Sequence, residues 1–194
     1  MTKNLRVKSS EYIDETNRIS FKFNGKTYHG FKGDTLASAL LANDVHLVGR
    51  SFKYHRPRGI MTSGSEEPNA IVQVNPGTNR TEPNVRATEV EIYEGLEASS
   101  QNCWPSVEFD IGGINNFLSP FFPAGFYYKT FMWPASFWEK YEFFIRHSAG
   151  LGKSPTSSDP DIYDHRNVHC DILVVGAGIS VSYTHLTLPT NKAV

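Results

Sequence analysis

Residues 19–44 read ISFKFNGKTYHGFKGDTLASALLAND, and the architecture follows from this stretch. Ile19, Phe21 and Phe23 alternate with Ser20, Lys22 and Asn24, the two-residue period of a half-buried strand. Asn24-Gly25 follows, a pair that tolerates the positive φ values of a two-residue hairpin turn. Lys26 to Phe31 is then the returning strand. Gly33-Asp34-Thr35 opens a helix, with Asp34 expected to accept hydrogen bonds from the free N–H groups of the first turn. Leu36, Ala37, Leu40 and Leu41 share one apolar face, and the helix fades at Asn43-Asp44.

Working outward, residues 1–17 read as a polar arm. Gly49 to Pro68 is a long irregular stretch, and Ala70 to Val74 reads as a strand. Asn75-Pro76-Gly77 turns the chain. Thr88 to Tyr93 is expected to be a further strand, with Val90 and Ile92 set between Glu89 and Glu91. Hairpin, helix, long loop, strand, strand is the order of a ferredoxin-like β-grasp domain, here over residues 18–102. The fold class is therefore α+β.

Residues 103–168 change character. More than half of the chain's Phe, Trp and Tyr residues fall between Phe117 and Phe144. Phe137, Trp138, Tyr141, Phe144 and Ile145 share a helical face, while Glu142 and Arg146 have the i,i+4 spacing of a surface ion pair. This face suits a core or subunit interface. An aromatic cage for a substrate is the alternative, and no cationic-ligand motif supports it. Leu151 to Asp161 is rich in Gly, Ser, Pro and Asp and reads as a linker.

At residues 169–180 the chain reads HCDILVVGAGIS. The apolar run Ile172 to Val175 followed by Gly176-Ala177-Gly178 has the form of the first strand and turn of a Rossmann-type α/β nucleotide-binding domain. Gly176 would allow the tight turn, and Gly178 would let the backbone approach a pyrophosphate on the helix N-terminus. The third glycine of that pattern should stand at 181, where the chain has Val181. The following residues, 181–194, lack an apolar helical face and carry β-branched residues and Pro189. They resemble translated adapter sequence, so native sequence is expected to end near Ser180 and the nucleotide-binding domain to be truncated.

The chain has 194 residues and a formal net charge of -1, so no global field marks it as a nucleic-acid binder. The first residues lack the apolar stretch of a secretion signal. Ile111 to Tyr128 carries no charge, but its Asn, Pro and Gly residues argue against a lipid-exposed helix. Two cysteines, Cys103 and Cys170, fit a reducing cytoplasm.

One loop stands out: Gly49 to Gly59 carries Arg50, Lys53, Arg56 and Arg58 and no acid. It reads as an anion clamp, a docking surface or a solvated loop. A plant-type [2Fe–2S] centre needs four cysteine ligands, three of them clustered in the loop after the helix. That loop, residues 59–67, has no cysteine, so the fold is expected to carry no cluster and a small electron-transfer ferredoxin is excluded. The histidines show no metal-ligand spacing, and no nucleophile motif or Walker A loop occurs.

Residues 33–74 closely resemble the alpha subunits of heterotetrameric sarcosine oxidases. Gly49–Gly59 and Glu66-Glu67-Pro68-Asn69-Ala70 are the specific part, and the aromatic segment and DILVVGAGIS follow in the family's order. The resemblance covers about residues 18–180 and identifies the chain as an amino-terminal fragment of such a subunit.

It implies a cytoplasmic complex with beta, gamma and delta subunits that demethylates sarcosine to glycine. The complex produces hydrogen peroxide and passes the one-carbon unit to tetrahydrofolate. NAD is implied in the alpha subunit, with FAD in beta and FMN between them. Gly176, Ala177, Gly178, Ile179 and Ser180 carry over as NAD-loop positions, and no catalytic residue carries over. Membrane and nucleic acid are not implied as partners. Proline and opine dehydrogenases and hydrogen cyanide synthases are related alternatives, as is a stand-alone binding module. Many of those relatives have cluster cysteines in the loop that lacks them here.

Overall fold

The computed structural model describes residues 5–7, 13–121, 133–176, 178, 181 and 183. The chain divides into two units, Met1–Pro160 and Asp161–Val194.

In the first unit, β1 (Asp14–Phe23) and β2 (Lys26–Lys32) form the hairpin expected at Asn24-Gly25, both turn residues having positive φ. Phe21 and Phe23 are 1% and 2% exposed. The intervening Lys22 faces outward to Glu97, 2.7 Å away. α1 (Leu36–Ala42) follows, burying Leu36, Ala37, Ala39 and Leu40. Then come β3 (Gly49–Arg50), β4 (Pro57–Arg58), β5 (Ile71–Val74), β6 (Glu82–Arg86) and β7 (Glu97–Ser100). The sheet order is β2-β1-β7-β5-β6, with β1 and β7 parallel and the other pairs antiparallel. β3 and β4 form a separate two-stranded hairpin. Val48, Ala70, Val72, Ala87, Ile92 and Leu96 complete the core under α1.

Two expectations need correction. Thr35, not Asp34, caps α1: its hydroxyl accepts from the Ser38 N–H. Asp34 is fully buried and accepts from the Phe31 N–H and the Ser38 hydroxyl. It also accepts from both terminal nitrogens of the Arg6 guanidinium, so its charge is paired rather than spent on the helix end. Thr88 to Tyr93 is not a strand. Its alternation does report burial, since Ile92 is 2% exposed, but its backbone pairs with the start of α1. The Leu36 N–H donates to the Val90 carbonyl, and the Ile92 N–H donates to the Asp34 carbonyl. Gly30 shows how tightly β2 passes this junction: a Cβ there would lie 2.5 Å from Ile92 Cδ1 and 3.1 Å from Ala39 Cβ.

Beyond β7 the unit becomes less regular. α2 (Ile114–Phe117) is one turn, and α3 (Trp138–Ser148) is the helix expected from the aromatic periodicity. Glu142 and Arg146 pair at 3.1 Å on α3. Phe137, Trp138 and Phe144 on the expected apolar face are 44%, 43% and 68% exposed, so this unit does not cover that face. After α3 the chain returns to the sheet edge. There Lys153 N–H donates to Gln73 Oε1, Gln73 Nε2 donates to the Lys153 carbonyl, and Gly152 N–H donates to Asn84 Oδ1. Among the described residues no helix is long and apolar enough to cross a membrane.

In the second unit, Ile172 to Val175 form no strand and stay exposed. A parallel strand is held by neighbours on both edges, and the described residues of this unit contain no other strand to pair with.

Candidate functional site

The long connection between α1 and β5 is organised around one acid. Glu67 is 1% exposed, and its carboxylate accepts from four backbone N–H groups. Oε2 takes Met61 N at 2.7 Å and Thr62 N at 2.6 Å, with the Thr62 hydroxyl at 3.3 Å. Oε1 takes Asn69 N at 2.8 Å and Ala70 N at 3.1 Å. The Glu67 backbone is tied as well: its carbonyl accepts from Arg86 Nε, and its N–H donates to the Gly64 carbonyl. Burial by itself would push the Glu67 carboxyl up. The N–H groups of Thr62, Asn69, Met61 and Ala70 outweigh it and hold the group below the usual glutamic acid value. A buried anion therefore fills the inside of the loop.

A second cluster joins the basic loop to the turn after β7. His55 Nδ1 lies 2.6 Å from Asp110 Oδ2; a carboxylate only accepts, so Nδ1 carries the proton. The Asp110 side chain is 1% exposed, and its other oxygen accepts from Trp104 N and Gly112 N. His55 adopts a positive φ of 51°, and Gly112 must be glycine because a Cβ there would fall 2.3 Å from the imidazole. Cys103 lines the same cavity of about 470 Å³. Burial pushes its thiol up, Asp110 adds to this, and Arg50 opposes it, so Cys103 is disfavoured as a thiolate nucleophile.

The four cations of the basic loop have different roles. Arg50 donates to three backbone carbonyls, those of Val107, His55 and Glu108. Arg56 donates to Asn116 Oδ1 and lies over the Tyr54 ring, with Lys53 also 5.0 Å from that ring's centroid. Arg50, Lys53 and Arg58 line a cavity of about 450 Å³. Gln101 lines both cavities, and its Oε1 is buried without a hydrogen-bond partner among the described residues.

Of the positions read as an NAD loop, Gly176 is exposed with φ +116°, and Gly178 is exposed. Ala177, Ile179 and Ser180 lie outside the described residues. With no strand ahead of Gly176, the described residues build no pyrophosphate cradle. Sequence reasoning missed Glu67 and the His55–Asp110 pair as site residues. Glu67 had one signal, an acid standing just before Pro-Asn-Ala where the loop lacks its cysteines.

The ferredoxin-like architecture agrees with one family model. Residues 16–103 match the model of a 2Fe-2S iron-sulfur cluster binding domain. The sarcosine oxidase subunit alpha of Rhizobium meliloti (strain 1021) is 61% identical over 174 residues, 89% of this chain and 18% of that protein. That of Corynebacterium sp. (strain U-96) is 32% identical over 168 residues, 86% of this chain and 12% of its own length. The crystal structure of L-proline dehydrogenase from P. horikoshii aligns with a TM-score of 0.36 at 25% identity, covering 44% of this chain and 16% of that one.

The cluster named by the family model does not fit the residues present. It needs four thiolates, whereas the chain has two cysteines, and the loop that should hold three of them has none. The amides facing into that loop are already bound to the Glu67 carboxylate. The chain spans less than a fifth of the length of the curated relatives it matches. Over most of its own length it is similar to the alpha subunits of sarcosine oxidase.

Proposed function

We propose that this chain supplies the ferredoxin-like, cluster-free part of the alpha subunit of a multi-subunit sarcosine oxidase. The observation that carries the proposal is 61% identity sustained over 89% of the chain. In this reading the complex oxidises the N-methyl group of sarcosine, leaving glycine, with oxygen reduced to hydrogen peroxide and the one-carbon unit passed to tetrahydrofolate. FAD and FMN belong to the rest of the complex, and residues 176–180 belong to an NAD loop. The chain's own part is structural. Its buried acids, Asp34, Glu67 and Asp110, are each saturated by N–H or cationic partners and hold loops in place.

Exposed aromatics support a role in assembly. Phe117, Phe121, Trp133 and Phe144 are 84%, 74%, 81% and 68% exposed, more large apolar surface than a free monomer commonly shows. The beta, gamma and delta subunits, or the remainder of an alpha subunit, would cover it. A cytoplasmic site accords with two cysteines that form no disulfide.

A chimera tests the proposal. The matched residues of the Rhizobium meliloti alpha subunit are replaced by those of this chain, and the product is expressed with the other subunits. The expected result is an assembled complex with sarcosine-dependent peroxide formation comparable to the parent, and none from this chain alone. A chimera that folds but does not assemble, or peroxide formation by the isolated chain, would overturn it.

A further inference from the structure

We propose that Gly150–Lys153 is a strap that lifts and reseats while the sheet beneath it stays folded, and that lifting joins the cavities on its two sides into one groove. The inference does not rest on the sarcosine oxidase reading. Gly150 and Leu151 line both the cavity of about 450 Å³ beside the basic loop and that of about 470 Å³ at the His55–Asp110 pair. The strap is therefore a shared wall.

Three hydrogen bonds, all to side chains, seat it. Strand alternation turns Val72 and Val74 into the core under α1 and Gln73 to the opposite face of the sheet. There the Gln73 carboxamide, in a residue only 9% exposed, meets the backbone of Lys153 much as a neighbouring strand would. Its Oε1 accepts from the Lys153 N–H at 3.0 Å, and its Nε2 donates to the Lys153 carbonyl at 2.7 Å. Nε2 also donates to Thr81 Oγ1 at 2.8 Å, which fixes the orientation of the carboxamide. Asn84 Oδ1 accepts from the Gly152 N–H at 3.0 Å. Two glycines let the strap lie flush. A Cβ on Gly152 would fall 2.5 Å from Pro83 Cβ and collide with the Gln101 carboxamide, and one on Gly150, at φ +63°, would overlap Asn102.

Apolar packing adds little to this latch. Two of the four strap residues have no side chain, Leu151 is 62% exposed and Lys153 is exposed. A segment with few buried apolar contacts is the kind that opens locally. The seated position also carries a cost. The Gln101 carboxamide abuts Gly152, and its Oε1 is buried with no hydrogen-bond partner among the described residues. Lifting the strap lets water reach that oxygen. The penalty of an unpaired buried acceptor thus favours opening, and the three latch bonds oppose it. Two opposed contributions of similar size are what a two-position strap needs.

Hydrogen exchange on the full 194-residue chain tests this, reading the amides of Gly152 and Lys153 against those of Leu36 and Ile92, which are bonded within the core. The strap amides are expected to be protected, yet to exchange well ahead of Leu36 and Ile92. Gln73→Leu removes two of the three latch bonds and should speed strap exchange about tenfold or more, with Leu36 and Ile92 keeping their order behind it. Because Gln73 is buried, Asn84→Gly repeats the test at an exposed residue whose φ is already positive, with a smaller acceleration expected. Gln101→Met removes the unpaired oxygen and should slow strap exchange about threefold. In a Cys170→Ser background, alkylation of Cys103, half-buried in the wall of the second cavity, should accelerate in Gln73→Leu. The proposal is overturned if the strap amides exchange only together with Leu36 and Ile92, if they show no protection, or if neither Gln73→Leu nor Asn84→Gly speeds them. Unchanged or faster exchange in Gln101→Met would overturn the role of the unpaired oxygen, and a parent alkylation rate in Gln73→Leu would overturn the joined groove.

Discussion

Replacing Glu67 by alanine is expected to destabilise the ferredoxin-like domain by roughly 3–5 kcal/mol, the range for stripping a buried charged acceptor from several donors. The carboxylate is the common partner of Met61, Thr62, Asn69 and Ala70, so its loss leaves four N–H groups facing a space it had filled. Glu67→Gln should cost less, because one carbonyl oxygen remains while the carboxamide NH2 faces donors. Thermal unfolding reads the total. Hydrogen exchange at those four amides shows whether the loop opens first. A Glu67→Ala protein with a wild-type midpoint and unchanged exchange would refute the anchoring role.

The same group sets a pH dependence. Its folded pKa lies below the unfolded one, so its contribution is present above the ordinary glutamic acid value. The contribution is lost as pH falls through the lower, folded value. Acid should therefore loosen the loop in that window, and Glu67→Gln should flatten the midpoint-versus-pH curve there.

Asp110→Ala is the second large effect, about 3 kcal/mol, since it removes one member of a buried pair together with the acceptor for two backbone amides. Its signature is chemical. Asp110 helps hold the Cys103 thiol up, second only to burial, so removing its charge should shift Cys103 alkylation to lower pH. Asp110→Asn isolates the charge, because the carboxamide can still accept from Trp104 N and Gly112 N. In a Cys170→Ser background the Asn variant should show the shifted pH profile without a faster limiting rate. A profile identical to the parent would separate Cys103 from this cluster.

What the sequence revealed and what it hid follow the range of the interactions. The β1–β2 hairpin and α1 are legible because Phe21 and Phe23 alternate around Lys22, Asn24-Gly25 sets its own turn, and the leucines recur at helical spacing. β6 was hidden because EPNVR carries Pro83 and Asn84, residues that disfavour strands. It lies at the sheet edge, where proline is tolerated. β7, EASS, has no apolar alternation, yet it sits centrally between β1 and β5 because its backbone is sandwiched there. Thr88–Tyr93 had the alternation and no strand partner.

The site shows the same division. The cysteine-free loop was plain from residues 59–67, but a missing ligand does not say what replaces it. Glu67 binds amides on both sides of itself, a closure that only the folded loop defines. His55 and Asp110 are 55 residues apart, with nothing in either segment to announce the other. The basic loop was seen as four cations. Its structure separates Arg56, held by Asn116 and the Tyr54 ring, from Arg50, Lys53 and Arg58, which line the cavity.

A cluster-binding fold is here organised by a carboxylate instead of iron and sulfide. Anaerobic reconstitution of the chain with ferrous iron and sulfide, followed by iron analysis and visible absorption, addresses it directly. The predicted result is no retained iron, no iron–sulfur chromophore and an unchanged unfolding midpoint. A stoichiometric [2Fe–2S] spectrum with a raised midpoint would contradict the account.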